Sequence, residues 1–199
     1  MAFFIDLLRH GDVVGGGRYR GQQNDPLSEL GWQQMRAATA KQQPWQQIVS
    51  STLCRCADFA AVLSQQYAIP LQRQPAFMEI SFGDWEGKTA SQLEQEDKAG
   101  FYAFYDDPLN NTPSNAESLL QFQQRIQSAW QDLLITHNNK HTLLVAHAGV
   151  IRMILAEVLS IPLQAMFRIQ VPHAALTRIV IHNEDGTFYS QLQFHAGNL

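Results

Sequence analysis

The stretch "LLRHGD", residues 7–12, decides how the rest of the chain is interpreted, because it places an arginine, a histidine and a glycine at the end of an apolar run. The composition of Ala2 to Leu8 predicts a buried β-strand. Arg9 and His10 therefore lie where that strand opens into a loop, and Gly11 leaves room for an anion. Ligands of open α/β sheets bind beyond the carboxyl ends of the strands. The position of the two basic side chains thus indicates a ligand site.

A second predicted strand also ends in a histidine. "HTLLVAH", residues 141–147, is a short apolar run, and residues 149–159 after it have the composition of a buried helix. If the two strands are parallel in one sheet, His10 and His147 meet at the same edge. The two histidines are therefore candidates for one shared site.

Short apolar runs alternate with stretches of helical period along the chain, which is typical of an α/β domain. The predicted strands cover residues 2–8, 47–50, 71–74, 141–147 and the two arms of a hairpin that turns at Asn183 to Gly186. The predicted helices begin at Ser28, at Ser51 or Thr52, and at Glu117. Residues 1–199 are expected to form one domain, with a helical excursion over the site at about 88–112 that contains the aromatic cluster "FYAFYDDP".

Composition and charge exclude several classes of protein. The chain is 45% hydrophobic and 16% charged, with a formal net charge of -4 and no basic block, so we expect no nucleic-acid partner. No segment approaches the roughly 20 apolar residues that cross a membrane. The first residues lack a basic region and carry Asp6, which argues against a signal peptide. Cys54 and Cys56 have neither a CxxC nor a zinc-site spacing, and a reducing cytoplasm is the expected setting.

Two further motifs bring charge to the same edge of the sheet. "SSTLCRCADFA" places Arg55 in the first turn of a helix that follows a strand, and a helix N-terminus attracts anions. "MEISFGDWEG" offers Glu79 just before a loop of glycine and aromatic residues. The candidate catalytic set is Arg9, His10, Arg55, Glu79 and His147.

This set suits the chemistry of a phosphate group. Two arginines present forks of donors that match phosphate oxygens. At an effective dielectric near 20, each cation about 4 Å from a phosphate charge contributes on the order of 4 kcal/mol before desolvation is subtracted. Two histidines offer one nucleophile and one donor, and a carboxylic acid can protonate a departing alkoxide. The predicted reaction is phosphoryl transfer through a phosphohistidine, with no metal and no other cofactor.

Each motif alone also has a plain structural explanation. A lone histidine at a strand end is more often a hydrogen-bonded core residue than a nucleophile, but four such motifs together favour a site. Four other histidines are predicted at the surface, namely His137, His141, His182 and His195, whereas His173 in "VPHAAL" has a modest claim to the site. A phospho-ligand binding protein without activity and a metallohydrolase remain as alternatives. An assay on an aryl phosphate with and without chelator distinguishes these two alternatives from a phosphatase that acts through a phosphohistidine.

The segments "LLRHGD", "RYRGQQNDPLSELG", "SSTLCRCADFA", "MEISFGDWEG", "NAES" and "LLVAHAGVIR" resemble the successive motifs of the histidine phosphatase superfamily, also called phosphoglycerate mutase-like. The resemblance implies a three-layer α/β/α fold with a mostly parallel central sheet. It also implies that His10 is the nucleophile and Glu79 the proton donor. The implied phosphate pocket is Arg9, Arg55 and His147, with further phosphate or substrate contacts from Gly21, Gln22, Gln23, Trp85, Ala148 and Glu117.

Two departures from the family pattern affect these contacts. The family loop after the nucleophile supplies an asparagine near the phosphate, whereas here Asp12, Val13 and three glycines stand in the loop. Gln22, Gln23 or a backbone amide near Gly21 are the candidates to replace it. The usual Gly-Glu-Ser at the start of the late helix is Ala-Glu-Ser at residues 116–118, which gives Glu117 a weaker role.

The short length, "FGDWEG" and "PSNAES" are most similar to the alpha-ribazole phosphatases of cobalamin assembly. Phosphoglycerate mutases carry paired arginines after the acid loop, whereas residues 88–112 have Lys88 and Lys98 as their only basic residues. This favours hydrolysis of a larger, less charged phosphomonoester such as alpha-ribazole 5'-phosphate, on whose base Trp85 and the aromatic residues at 101–105 either stack or merely pack nearby. A broad-specificity or sugar phosphatase and a mutase remain as alternatives. The partner is a small-molecule substrate, and the protein is expected to be a monomer or homodimer.

Overall fold

One six-stranded sheet forms the centre of the computed structural model, which describes residues 2–40 and 44–197. In chain order the strands are β1 (Ala2–Arg9), β2 (Gln47–Ser50), β3 (Leu71–Arg73), β4 (Thr142–Ala146), β5 (Leu176–Glu184) and β6 (Thr187–Gly197). Their order across the sheet is β3-β2-β4-β1-β5-β6. The first four strands run parallel to one another, and β5, which is antiparallel to β1, forms with β6 an antiparallel edge. The predicted mostly parallel sheet and the hairpin are confirmed.

Helices cover both faces of this sheet. They are α1 (Glu29–Ala38), α2 (Cys54–Tyr67), α3 (Ala90–Glu96), α4 (Lys98–Asp106), α5 (Leu119–Thr136) and α6 (Ala148–Val158). Successive side chains of a strand point to opposite faces, so Leu7 packs in the cluster with α5 and α6, and Leu8 in the cluster with α1 and α2. The fold is the predicted three-layer α/β/α arrangement.

The helix starts follow the predicted caps with one exception. The Ser28 hydroxyl accepts a hydrogen bond from the Gly31 amide at the start of α1, as predicted. The prediction that Ser51 or Thr52 caps α2 is wrong, because Leu53 is the N-cap and makes no side-chain bond. The Ser51 hydroxyl is instead bonded to His147, which lies at the end of β4. That serine therefore helps to hold the His147 ring in place.

The helical excursion consists of two helices, α3 and α4, where the sequence pattern suggests one. Asp97 separates them, because its backbone has φ -150° and ψ 84° and its carboxylate accepts a bond from the Gly100 amide at the start of α4. The excursion lies between β3 and β4 in the chain, and Phe101 and Phe104 are the buried residues of its second helix, α4.

Three of the four histidines predicted at the surface are hydrogen-bonded to other elements: His137, His141 and His195, the last through its Nδ1, which lies 2.7 Å from the Thr177 hydroxyl of β5. His137 is 5% exposed, and its Nε2 lies 3.1 Å from Gln72 Oε1, so the surface prediction is wrong for this residue. The turn that ends α5 places it against β3. His141 Nε2 lies 2.9 Å from a carboxylate oxygen of the fully buried Asp6, which Arg178 also contacts through two nitrogens. These contacts fix the middle of β1, the strand that carries Arg9 at its end.

Candidate active site

The two strand-end histidines meet, as predicted. β1 and β4 are parallel neighbours with Arg9 opposite Ala146, and the His10 amide donates to the Ala146 carbonyl at 3.0 Å. This register places His10 and His147 one after the other along the same sheet edge, with ring centroids 5.3 Å apart. The His173 ring lies 5.8 Å from His10 on the other side, so this histidine also faces the site.

His10 is oriented as a nucleophile would be. Its Nδ1 lies 2.8 Å from the Gly11 carbonyl oxygen, which can only accept, so Nδ1 carries the proton and the lone pair of Nε2 is available. Burial lowers the pKa of His10 well below its usual value, and the charges of Arg9 and Arg55 lower it further. The ring is therefore neutral near pH 7. Gly11 is required for packing, because an added Cβ would lie 2.3 Å from the Gly31 carbonyl oxygen of α1.

His147 is fully buried and is a hydrogen-bond donor. Arg55 Nε donates to its Nδ1 at 3.3 Å, so Nε2 carries the proton and donates to the Ser51 hydroxyl at 2.7 Å. Burial, followed by the charge of Arg55, lowers the pKa of His147 well below its usual value. Cys56 packs against the same ring, and burial raises the pKa of its thiol. This environment fits packing of Cys56 rather than reactivity.

Arg9 and Arg55 bring positive charge to His10 from two directions. Arg55 is 1% exposed in the first turn of α2, and its terminal nitrogens donate to the Gln23 and Gly21 carbonyl oxygens at 2.6 and 2.7 Å. Arg9 donates to Val171, and its buried Nε has no partner in the described residues. Burial lowers the pKa of Arg9 to about 10. Both guanidinium groups line the pocket in front of His10.

Glu79 reaches the same pocket from the loop after β3. One carboxylate oxygen accepts from the Gly149 amide in the first turn of α6 at 3.0 Å, and the other accepts from Ile80 at 3.1 Å. A Cβ at Gly149 would lie 2.3 Å from Glu79 Oε1, so only glycine allows this approach. The loop is held in turn by Arg125, whose Nη1 donates to the Met78 carbonyl at 2.9 Å.

Glu117 does not line the pocket, contrary to its predicted role in substrate binding. Its carboxylate pairs with Arg125 at 2.6 Å and accepts from the Ser81 amide at 3.3 Å. The side chain is committed to this ion pair because α5 presents Arg125 directly to it. Glu117 therefore supports the loop that carries Glu79 and lies outside the pocket lining.

Of the three candidates to replace the family asparagine, Gly21 lies at the pocket. The backbone amides of Gln22 and Gln23 instead donate to the two carboxylate oxygens of Glu86, both at 3.0 Å. The Gln22 side chain donates to the Glu79 carbonyl at 3.3 Å, which turns it away from His10. Neither glutamine lines the pocket. Glu86 is the residue that ties this loop to the loop of Glu79, since it also accepts from the Phe82 amide and the Ser81 hydroxyl.

Trp85 and Ala148 also lie outside the pocket lining. The Trp85 ring packs among aromatic rings, with its centroid 5.5 Å from Tyr19, 5.7 Å from Phe101 and 5.2 Å from Phe104. Its side chain is used for packing, and the alternative of stacking on a substrate base is not favoured. Ala148 is 8% exposed as the first residue of α6. Tyr105, the last aromatic residue of the excursion, does line the pocket and shares a hydrogen bond between hydroxyl groups with Tyr19.

The pocket in front of His10 has a volume of about 260 Å³. Part of its lining was not predicted from the sequence: Arg18, Tyr19, Arg20, Arg152 and Phe167. Arg152 ends the motif "LLVAHAGVIR", and Arg18 and Arg20 lie in "RYRG". The sequence therefore shows these arginines but does not show that their side chains point into the pocket. The lining holds five arginines and one carboxylate, Glu79. It is therefore strongly cationic.

Within the described ranges, no group of three or more His, Cys, Asp or Glu side chains is placed to hold a metal ion. None of the helices described in the structure is both long and apolar enough to span a bilayer.

The fold and this site define a class of protein: the chain belongs to the histidine phosphatase superfamily (branch 1), whose family model matches residues 5–191. The superfamily is one of phosphatases and mutases. The adenosylcobalamin/alpha-ribazole phosphatases of Escherichia coli K12 and Salmonella typhimurium LT2 are each 27% identical to it, over 185 residues (91% of both chains) and 179 residues (88% of this chain, 89% of the relative). The native structure of mycobacterial glucosyl-3-phosphoglycerate phosphatase matches with a TM-score of 0.84 and 27% identity, covering 97% of this chain and 98% of that one.

Proposed function

We propose that this protein hydrolyses small-molecule phosphomonoesters through a phosphohistidine on His10, without a metal ion. The observation that carries the proposal is the neutral His10 ring, whose Nδ1 is bonded to Gly11 and whose Nε2 lone pair is free beside two arginines. A ligand-binding protein without activity would not need this tautomer. Membership of the superfamily supports the same conclusion.

The proposed reaction has two steps. His10 Nε2 attacks phosphorus while the bond to the leaving oxygen breaks, and Glu79 gives that oxygen a proton. Arg9 and Arg55 stabilise the charge that develops on the other phosphate oxygens. His147 can donate its Nε2 proton to one of these oxygens only by exchanging the bond that it makes to the Ser51 hydroxyl. In the second step water attacks the phosphohistidine, Glu79 takes the proton, and inorganic phosphate leaves. The enzyme returns to its starting state.

Activity on a generic aryl phosphate tests the reaction class. We expect 4-nitrophenyl phosphate to be hydrolysed at an unchanged rate after prolonged EDTA treatment, because nitrogen and oxygen groups of the chain perform both steps. Loss of activity with EDTA and recovery with a divalent cation would indicate a metallohydrolase. Saturable phosphate binding without turnover would indicate a binding protein.

Alpha-ribazole 5'-phosphate is the substrate that the resemblance proposes, and relatives named for that activity cover most of the chain. The prediction of a less charged leaving group from the shortage of basic residues at 88–112 does not hold for the pocket as a whole, because three arginines from elsewhere in the chain line it: Arg18, Arg20 and Arg152. These residues favour an acidic phosphomonoester as a second candidate substrate.

Activity on 3-phosphoglycerate distinguishes a phosphatase, which hydrolyses it, from a mutase, which isomerises it. We expect hydrolysis of 3-phosphoglycerate to exceed its isomerisation, because residues 88–112 lack the paired arginines of a mutase, even though Arg18 and Arg152 bring positive charge to the pocket from elsewhere in the chain. Product analysis by NMR with equal enzyme on 3-phosphoglycerate and alpha-ribazole 5'-phosphate gives both rates. Isomerisation that equals or exceeds hydrolysis would place the protein with the mutases.

A further inference from the structure

Arg152 is a cation of the pocket that other groups of the protein leave largely uncommitted. Its Nε donates to the Ile169 carbonyl at 2.7 Å, and its guanidinium carbon stands 5.9 Å from the centre of the Phe167 ring. Within residues 2–40 and 44–197, its two terminal nitrogens make no hydrogen bond and it has no ion pair. Both Arg152 and Phe167 line the pocket in front of His10. The terminal nitrogens are therefore free for a ligand.

Arg18 is a second cation of this kind. It is exposed in the loop after β1, and its side chain has no hydrogen bond or ion pair within the described part of the chain. Arg20, two residues further on, is different because it pairs with Asp25 at 3.1 Å and donates to the Val14 carbonyl at 2.7 Å. Arg20 is thus neutralised by the protein, and Arg18 is not.

The charges of the pocket exceed what one phosphate group neutralises. Four lining arginines without a carboxylate partner, Arg9, Arg18, Arg55 and Arg152, face one acid, Glu79, so the net charge is at least three, and it is four when Glu79 carries the proton that it donates. A phosphate dianion offsets two of these charges. The repulsion is felt inside the site, since Arg152 adds to the lowering of the pKa of Arg9. At least one positive charge remains for another anion.

We propose that Arg152, with Arg18 at the rim, forms a second anion subsite that binds a carboxylate on the leaving group of the substrate. The guanidinium fork matches a carboxylate through two parallel hydrogen bonds. Tyr105 and Phe167 line the same pocket and supply an apolar wall for the body of the leaving group. The inference rests on the proposed function, because it needs a phosphate bound at His10. An uncharged nucleoside such as alpha-ribazole leaves this subsite without a ligand.

A matched pair of substrates tests the subsite. Carboxyphenyl phosphate and carbamoylphenyl phosphate have the same shape and differ by one charge, and both their 3- and 4-isomers are assayed. We expect the wild-type kcat/KM to favour the carboxylate by about tenfold to a hundredfold on the better isomer. In Arg152→Gln the ratio falls to near one, mainly through KM, and Arg18→Gln reduces it by a smaller factor.

Arg168→Gln is the matched control, because Arg168 is exposed, follows Phe167 and does not line the pocket. It removes the same charge and is expected to keep the wild-type ratio. Arg152→Lys, which keeps the charge but loses the fork, gives an intermediate ratio and replaces Arg152→Gln if that variant does not fold. A wild-type ratio near one, or an equal fall in Arg168→Gln and Arg152→Gln, would overturn the subsite. No turnover of either substrate would overturn the proposed function instead.

Discussion

His10→Ala is expected to lower kcat/KM for 4-nitrophenyl phosphate by at least about 10⁴-fold, because it removes the atom that forms the covalent intermediate. Brief reaction of the wild type with ³²P-labelled substrate, followed by denaturation, is expected to leave an acid-labile, alkali-stable label on His10. Both properties are those of phosphohistidine. Peptide mapping locates the label.

The neighbouring histidines make the site of the label informative. His147 and His173 have ring centroids 5.3 and 5.8 Å from His10, so either is close enough to compete for the phosphoryl group. In the free enzyme, however, Nε2 of His147 donates to Ser51 and Nδ1 accepts from Arg55, which leaves it no free lone pair. Label on His147, or a label stable in acid, would contradict the assignment. His182→Ala, which changes an exposed histidine of β5, is the matched control and should keep full labelling.

The pH dependence of labelling follows from the environment of His10. Its pKa in the folded protein lies well below the ordinary value because of burial and the charges of Arg9 and Arg55. The ring therefore stays unprotonated while the pH falls through that ordinary value. A histidine titrating normally would instead lose its nucleophilic form in this interval.

Glu79→Gln is expected to slow phosphorylation by an alkyl phosphate by about 10² to 10⁴-fold, the usual contribution of general acid catalysis. An alkoxide is strongly basic and needs a proton in the transition state. Nitrophenolate is stable without one, so phosphorylation by 4-nitrophenyl phosphate is expected to slow much less. The variant removes the proton donor while it keeps a similar shape against the Gly149 amide.

Single-turnover measurements are needed here, because the same carboxylate is proposed as the base in hydrolysis of the phosphohistidine. The two substrates are compared in the wild type, in Glu79→Gln and in Glu184→Gln, an exposed glutamate of the hairpin. Equal loss of the phosphorylation rate on both substrates would exclude protonation of the leaving group. It would instead give Glu79 a positioning role through its bond to α6.

The sequence alone predicted the positions of the candidate residues that follow the ends of strands. His10 and His147 each follow an apolar run directly, so the parallel register of β1 and β4 alone brings them together. The position of Arg55 at the same edge of the sheet was predicted because it lies in the first turn of the helix that follows β2, namely α2. In these cases the backbone determines where the side chain points.

Long side chains on helices and loops were harder to place. The helix that holds Arg152 has an almost wholly apolar sequence, which predicts burial and says nothing of one guanidinium that reaches a pocket. Glu117 was given a weak role at the substrate by the family resemblance of residues 116–118, whereas in the structure it pairs with Arg125, eight residues further along the chain. Such pairings depend on tertiary packing, which a motif does not encode.

The hydrogen bonds of Glu86 restrict how the pocket can change during evolution. Its carboxylate accepts from the Gln22, Gln23 and Phe82 amides and from the Ser81 hydroxyl, so one side chain fastens two loops. One loop carries Arg18 and the other carries Glu79. A substitution that shifts either loop displaces the other as well, which couples the choice of leaving group to the chemistry performed on it. Arg152 makes its own hydrogen bond to Ile169 and has none to Glu86, so a substitution at Arg152 can change the charge of the pocket while the four bonds of Glu86 stay in place.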